Sequence, residues 1–224
     1  MESRSQTKII FLFISLFLLS AGCRKSPRQI TMPPALTEQE KSLLQEGDII
    51  LRKGQGVISQ FITNYLADTF AISHCGILIK NQEKWQVVHS LARCISDQDG
   101  VQICSLDQFT AESVPQSLHV VRYKKDSLHV LATQALYYLH IHKPFDTTFN
   151  LQDTSAFFCS QLPLHILKYH LHSDLEIGEK TPSFSLFRNE TYFQLVYPPQ
   201  VRSHPTGKAF DRSPLPSSPS GTPG

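Results

Sequence analysis

Two residues of this 224-residue chain have the types and surroundings that thiol chemistry needs. Cys159 follows an apolar run in Phe157-Phe158-Cys159-Ser160-Gln161-Leu162, and His74 lies in Ile72-Ser73-His74-Cys75-Gly76-Ile77-Leu78-Ile79. A thiol becomes a nucleophile near neutral pH when its pKa is lowered and a base takes its proton. Unpaired N–H groups at a helix start supply part of the first, and an imidazole supplies the second. Sequence separation is no obstacle, because catalytic groups assemble in space in any chain order. The bland reading is a small buried cysteine and a satisfied core histidine. If the pair is functional, His74 and Cys159 are expected within hydrogen-bond reach.

The elements that must hold these residues are legible in outline. Thr37-Glu38-Gln39-Glu40 has capping-box spacing and predicts a short helix, which Gly47 closes before a strand at Asp48 to Leu51. Apolar residues at helical spacing from Val57 to Leu66 predict a second helix. Residues 72–79, 85–90, 101–104 and 118–123 read as strands, with a short helix from Ser105 and a longer one over 128–140. A long loop from Lys143 leads to the Cys159 helix, where Pro163 falls in the first turn and costs little. The expected class is α+β: a curled antiparallel sheet packed with helices on one side.

The N-terminus reads as a targeting segment. Arg4 and Lys8 precede an apolar run, Ile9 to Leu19, that is too short to span a bilayer. It ends in Leu19-Ser20-Ala21-Gly22-Cys23, which resembles a bacterial lipoprotein lipobox, with Ser20 where an aliphatic residue is usual. The division expected is a signal peptide over 1–22, a tether over 23–36 beginning at a lipid-bearing Cys23, a domain over 37–197 and a Pro/Ser/Gly-rich disordered tail over 198–224. An ordinary signal peptide is the alternative, and it too would put the domain outside the cytoplasm. The chain is thus expected to be lipid-anchored in the bacterial cell envelope, on the extracytoplasmic and specifically the periplasmic side.

Cys94 and Cys104 flank a turn-rich stretch, and a disulfide or two reduced cysteines fit equally. Cys75 adjoins His74 but points to the other face of a strand, so it reads as core. A net charge of +2 with mixed signs gives no nucleic-acid signal. His165, His170 and His172 lack a carboxylate or cysteine at ligand spacing and read as solvated surface, so neither metal nor cofactor is expected.

Several stretches, in order, resemble the permuted papain-like amidases of the YiiX/YaeF type. That group lies within the NlpC-type cysteine hydrolase superfamily, which also includes lecithin retinol acyltransferase. The stretches are Gly47-Asp48-Ile49-Ile50-Leu51, Ser73-His74-Cys75-Gly76-Ile77, Trp85 to His89, Pro144-Phe145-Asp146 with Phe149, and Phe158-Cys159-Ser160-Gln161-Leu162. The resemblance implies a circularly permuted papain-like fold, with Cys159 as nucleophile and His74 as base. It also implies that His89 stands where the family commonly carries Glu, much as the acyltransferase branch uses a second histidine. Gln161 replaces a common Glu and Phe145 a frequent Tyr. With Asp48, these two are the candidate substrate-side residues, and Gln161 and Asp48 are also the alternatives for orienting His74.

The activity implied is thiol-dependent hydrolysis of an envelope amide, peptide or peptidoglycan-related. The alternatives are a lipid or thioester acyl hydrolase or acyltransferase, and a non-catalytic envelope binding protein retaining the fold. The expected partners are an envelope amide or acyl substrate and the membrane, reached through the N-terminal lipid.

Overall fold

The structure is a computed structural model that describes residues 36–66, 70–178 and 184–197. The expected signal peptide, Cys23 and the tail lie outside the described residues, as does all but the last residue of the tether. Among the described residues, six strands form one antiparallel, curled sheet: β1 (Ile49–Arg52), β2 (His74–Asn81), β3 (Lys84–Leu91), β4 (Gly100–Ser105), β5 (His119–Tyr123) and β6 (Phe193–Tyr197). Their order across the sheet is β4-β3-β2-β1-β5-β6. The helices are α1 (Glu38–Lys41), α2 (Val57–Leu66), α3 (Leu106–Ala111), α4 (Val130–His140) and α5 (Gln161–Tyr169), with a 3-10 turn at Phe184–Arg188.

The sheet buries both faces. Ile49, Leu51, Cys75, Ile77 and Val88 join the larger core beneath α4 and α5, together with Leu131, Tyr138, Leu162 and Ile166. Their strand neighbours Ile50, Leu78 and Val87 point the other way, into a second core closed by Leu36, Leu44, Leu106 and Phe109. The expectation of helices on one side is therefore corrected: α3 covers the opposite face. Its shortness hid this, since a six-residue helix contributes few side chains to a periodicity count. Ser105 starts it by accepting from the backbone N–H of Gln108.

Glycines fit the sheet together at two places. A Cβ on Gly76 would lie 2.4 Å from Val87 Cγ1 and 3.1 Å from His89 Cβ, so only glycine lets β3 approach this closely. Gly100 has φ +84° and backs onto the Lys143 carbonyl, which accepts from Val101 N–H at 2.8 Å. That contact ties the long loop from Lys143 to the end of β4.

Candidate active site

β2 and β3 pair from Ile77↔Val88 onward, while β1 continues to pair β2 as far as Cys75 and His74. Ahead of Ile77 the regular pairing of β2 with β3 ends, although Gly76 still lies close against Val88 and His89. The segment leading to α5 bonds to both strands there: the Ser90 hydroxyl of β3 donates to the Phe157 carbonyl at 2.6 Å, and the Cys75 thiol of β2 donates to the Cys159 carbonyl at 3.3 Å. The turn that carries Cys159 into α5 starts at the Phe158 carbonyl, which accepts from the N–H groups of Gln161 and Leu162.

Cys159 is half-buried. The adjacent Cys75 thiol, followed by the backbone N–H groups of Cys75, Ser160 and Cys159 itself, holds its pKa below the ordinary thiol value against the opposing effect of burial. Cys75 bears the reverse shift: burial, then the neighbouring Cys159, push its thiol well up. The expectation that Cys75 is core stands, since it is fully buried. It is also the residue that touches Cys159.

The histidines occupy the other face. His74 Nε2 and His89 Nδ1 are 2.8 Å apart, and both rings are buried. Phe109 stacks on His74 and meets His89 edge-on, with ring centroids 5.6 and 5.7 Å away. Arg52, directly across from His74 in the β1–β2 register, lays its guanidinium 4.4 Å above the same Phe109 ring. It donates to the Phe109 carbonyl and to Glu112, both at 2.8 Å. Burial, then the charges of His89 and Arg52, drive the His74 pKa well below its ordinary value. Burial and Arg52 lower His89 to about 3. Both imidazoles are neutral at pH 7. Arg52, Phe109 and Glu112 were missed from sequence; the signal available was a charged residue in phase with Ile50 on a buried strand.

The residues expected to form the site are thus only partly brought together. His74 and His89 share a face and a hydrogen bond. Cys159 approaches from the α4–α5 side, and no hydrogen bond joins its thiol to the His74 ring among the described residues. The expected His74–Cys159 hydrogen bond is not made; Cys75, the residue after His74, touches Cys159 instead.

Asp48 is fully buried but lies opposite the backbone of Leu78, about 13 Å along the strand from His74. Arg122 grips both its carboxylate oxygens at 2.7 and 2.8 Å, and the Gln45 N–H donates to it at 2.8 Å, so it is not placed to orient His74. Gln161 is also buried and fully used. Its amide donates to the carbonyls of Asp153 at 2.7 Å and Asn150 at 3.3 Å, and its oxygen accepts from Phe158 N–H at 3.3 Å. It fastens the loop to the Cys159 turn rather than facing substrate. Phe145 starts an aromatic row, Phe145–Phe149–Phe158, with successive centroids 6.1 and 5.4 Å apart, ending beside Cys159.

Cys94 and Cys104 are both free, since Cys104 pairs with Val87 inside the sheet and Cys94 lies in the β3–β4 connection. The solvated reading of the α5 histidines is corrected for two of them. His165 packs between Phe157 and Tyr169, and burial lowers its pKa to about 4; the Tyr138 hydroxyl and His170 Nε2 lie 2.9 Å apart. No group of three or more His, Cys, Asp or Glu among the described residues is arranged to hold a metal ion.

A curled antiparallel sheet with a cysteine at a helix start and a histidine on a strand is the architecture of papain-like hydrolases in permuted order. The profile described as "Permuted papain-like amidase enzyme, YaeF/YiiX, C92 family" matches residues 43–197, and the chain belongs to that family of amide hydrolases. Among solved structures, the chain is similar to metalloprotein yiiX from Escherichia coli O157:H7 (DUF1105) at 24% identity and a TM-score of 0.48. That likeness covers 59% of this chain and 69% of the other. No curated protein sequence matches it.

Proposed function

We propose that this protein is a lipid-anchored thiol amidase of the bacterial cell envelope, acting on a peptide or peptidoglycan-related amide. Cys159 attacks the carbonyl and His74 takes the thiol proton. The N–H groups of Cys159 and Ser160, just ahead of α5 and beside the thiol, hold the oxyanion. The C–N bond breaks as His74 returns the proton to the leaving amine. Water, deprotonated by His74, then hydrolyses the thioester and frees the thiol. His89 accepts from His74 Nε2–H and fixes the tautomer that leaves Nδ1 free as the base. The observation that carries this reading is the thiol of Cys159, held below its ordinary pKa beside Cys75, the residue that follows His74.

A second reading keeps the chemistry and changes the acyl group. The aromatic row Phe145–Phe149–Phe158 beside Cys159 favours an apolar acyl chain, hence a lipid or thioester acyl hydrolase or acyltransferase. A thiol-directed activity probe should label the wild type but not Cys159→Ser; equal labelling of both removes Cys159 as nucleophile. Peptide amides tested against acyl esters then decide the substrate class. The anchor is tested by palmitate labelling of wild type and Cys23→Ala, followed by membrane fractionation; a wild type that takes up no lipid is freely secreted.

A further inference from the structure

Helix α2 is apolar on the wrong side for a helix that serves only the core. Its inward residues are Ser59, Ile62, Thr63 and Leu66, of which Ile62 and Leu66 pack against the larger core. At roughly 100° per residue, Val57, Phe61, Tyr65 and Ile58 fall within a single outer stripe about 100° wide. They are 85%, 66%, 73% and 46% exposed. The Phe61 and Tyr65 rings stack along that stripe at 6.1 Å. Gln60 and Asn64 border it, hydrogen-bonded to each other at 2.8 Å, and the helix carries no charged residue. A continuous exposed apolar stripe with an uncharged rim marks an interaction surface rather than scattered surface residues.

The inward side of α2 adjoins the segment that leads into His74. Gly54, just before α2, donates its N–H to the Ser73 hydroxyl at 2.9 Å, next to His74. A Cβ on Gly54 would stand 2.5 Å from Ser59 Oγ of α2 and 3.7 Å from Ser73 Oγ, so the start of the helix is seated close to the residue that precedes His74.

We propose that the outer face of α2 docks on the lipid bilayer and sets the mouth of the Cys159 site at the membrane surface. This rests on the reading of Cys23 as lipid-bearing, which supplies the occupant. The described domain begins at Leu36, and the chain from Cys23 to there spans at most about 45 Å when fully extended, so an anchored domain stays within reach of the headgroups. Aromatic residues on an exposed apolar stripe sit at headgroup level when such a face meets a bilayer.

The test uses the full chain as isolated from membranes, in vesicles of phosphatidylethanolamine with a minority of phosphatidylglycerol. With the single tryptophan changed (Trp85→Phe), Phe61→Trp fluorescence should be quenched by lipids brominated on the acyl chain, while Leu195→Trp on β6 should not. Backbone amides of α2 should exchange about tenfold more slowly with vesicles present, and Phe61→Ser with Tyr65→Ser should abolish that slowing. Iodoacetamide labelling of Cys159 in the double variant should be unchanged, which shows that the fold survives. Equal quenching at both tryptophan positions, or none at Phe61→Trp, overturns the proposal. Protection of α2 that needs no vesicles and rises with protein concentration overturns it too, in favour of a second copy of the chain. Palmitate uptake and Cys159 labelling are read separately, so failure of the anchor or of the thiol site is distinguishable from failure of the docking face.

Discussion

His74 Nε2 and His89 Nδ1 stand 2.8 Å apart, and among the described residues the fixed charge that acts on both rings is the Arg52 guanidinium rather than a carboxylate. This inverts the usual electrostatics of a cysteine–histidine pair. An acidic third group stabilises imidazolium, whereas here burial and Arg52 oppose it. The resting imidazole is therefore neutral, and under the proposed mechanism His74 would act as a general base during attack rather than as half of a standing ion pair.

The first prediction concerns thiol reactivity. Cys159 should be the first cysteine alkylated by limiting iodoacetamide, with a rate that rises with pH to a midpoint below 9.0, the unperturbed thiol value. Cys75, pushed well up, and Cys104, pushed up to about 11, should stay unreactive there. Mass spectrometry of the digested protein reads this, and preferential modification of another cysteine sinks the assignment. On an amide substrate, His74→Ala should lower kcat by about 10²–10⁴.

His89 is a positioning residue, so its test is a pH profile. His89→Ala should reduce kcat roughly tenfold to a hundredfold by freeing the His74 ring, without abolishing Cys159 alkylation. His89→Glu should restore orientation and add a negative charge that raises the His74 pKa. The acid limb of the rate profile should then move toward neutral pH. An unmoved limb would mean that the 89 side chain does not act through His74.

The strands and helices with strong periodicity were legible, as was the pairing of His74 with His89, because residue type and motif order survive without coordinates. β6 was not. Phe193, Leu195 and Val196 are apolar on both faces of an edge strand, and the bulge between Val120 and Val121 breaks the alternation it pairs with. The Cys75–Cys159 contact was illegible for a different reason. It depends on the path of the loop from Lys143 to Phe158. That path is set by Asp146, which accepts from the N–H groups of Thr148 and Asn150, and by Gly100, Ser90 and Gln161 reaching it from elsewhere. Strand alternation placed Cys75 away from His74 correctly. It could not show that the Cys159 carbonyl comes to meet the Cys75 thiol there.

Stability should fall on acidification through these same rings. The folded His89 has a pKa of about 3 and the unfolded one about 6.5, and His74 is lowered in the same direction. Between those values the unfolded chain binds more protons, so unfolding is favoured as pH drops. The stabilisation is complete above about 6.5 and is lost progressively toward about 3. Thermal melts across that window should show the decline, and His89→Phe should flatten it. A wild-type melting temperature unchanged across the window contradicts the burial of neutral imidazoles.

Gly76→Ala tests how closely β3 must approach. The new methyl would meet Val87 Cγ1 at 2.4 Å and the Val88 carbonyl at 3.0 Å, so β3 must shift and carry His89 with it. Overpacking of this kind costs about 1–3 kcal/mol. Urea denaturation should show that loss. The kcat of the folded fraction should fall toward that of His89→Ala, because the His74–His89 hydrogen bond is displaced with the strand.

Gln161 gives the last prediction, because the more common family residue at this position should do harm here. The Gln161 amide group donates to two carbonyls, Asp153 O at 2.7 Å and Asn150 O at 3.3 Å, while its oxygen serves Phe158 N–H. Gln161→Glu keeps the acceptor and replaces the donor with a second carboxylate oxygen facing a carbonyl oxygen in a buried site. The carbonyls of the exposed Asn150 and the half-buried Asp153 then lose their partner, at a cost of about 1 kcal/mol, the low end of the range for an unsatisfied group. The loop from Asn150 to Asp153 should loosen and the Cys159 turn with it. Amide exchange over residues 146–158 should speed up, and Cys159 alkylation should slow as the N–H groups around the thiol lose their alignment. Gln161→Met, which removes the donor without adding charge, should do less damage. Equal effects from both variants would show that lost packing, rather than the clash of acceptors, is what the loop responds to.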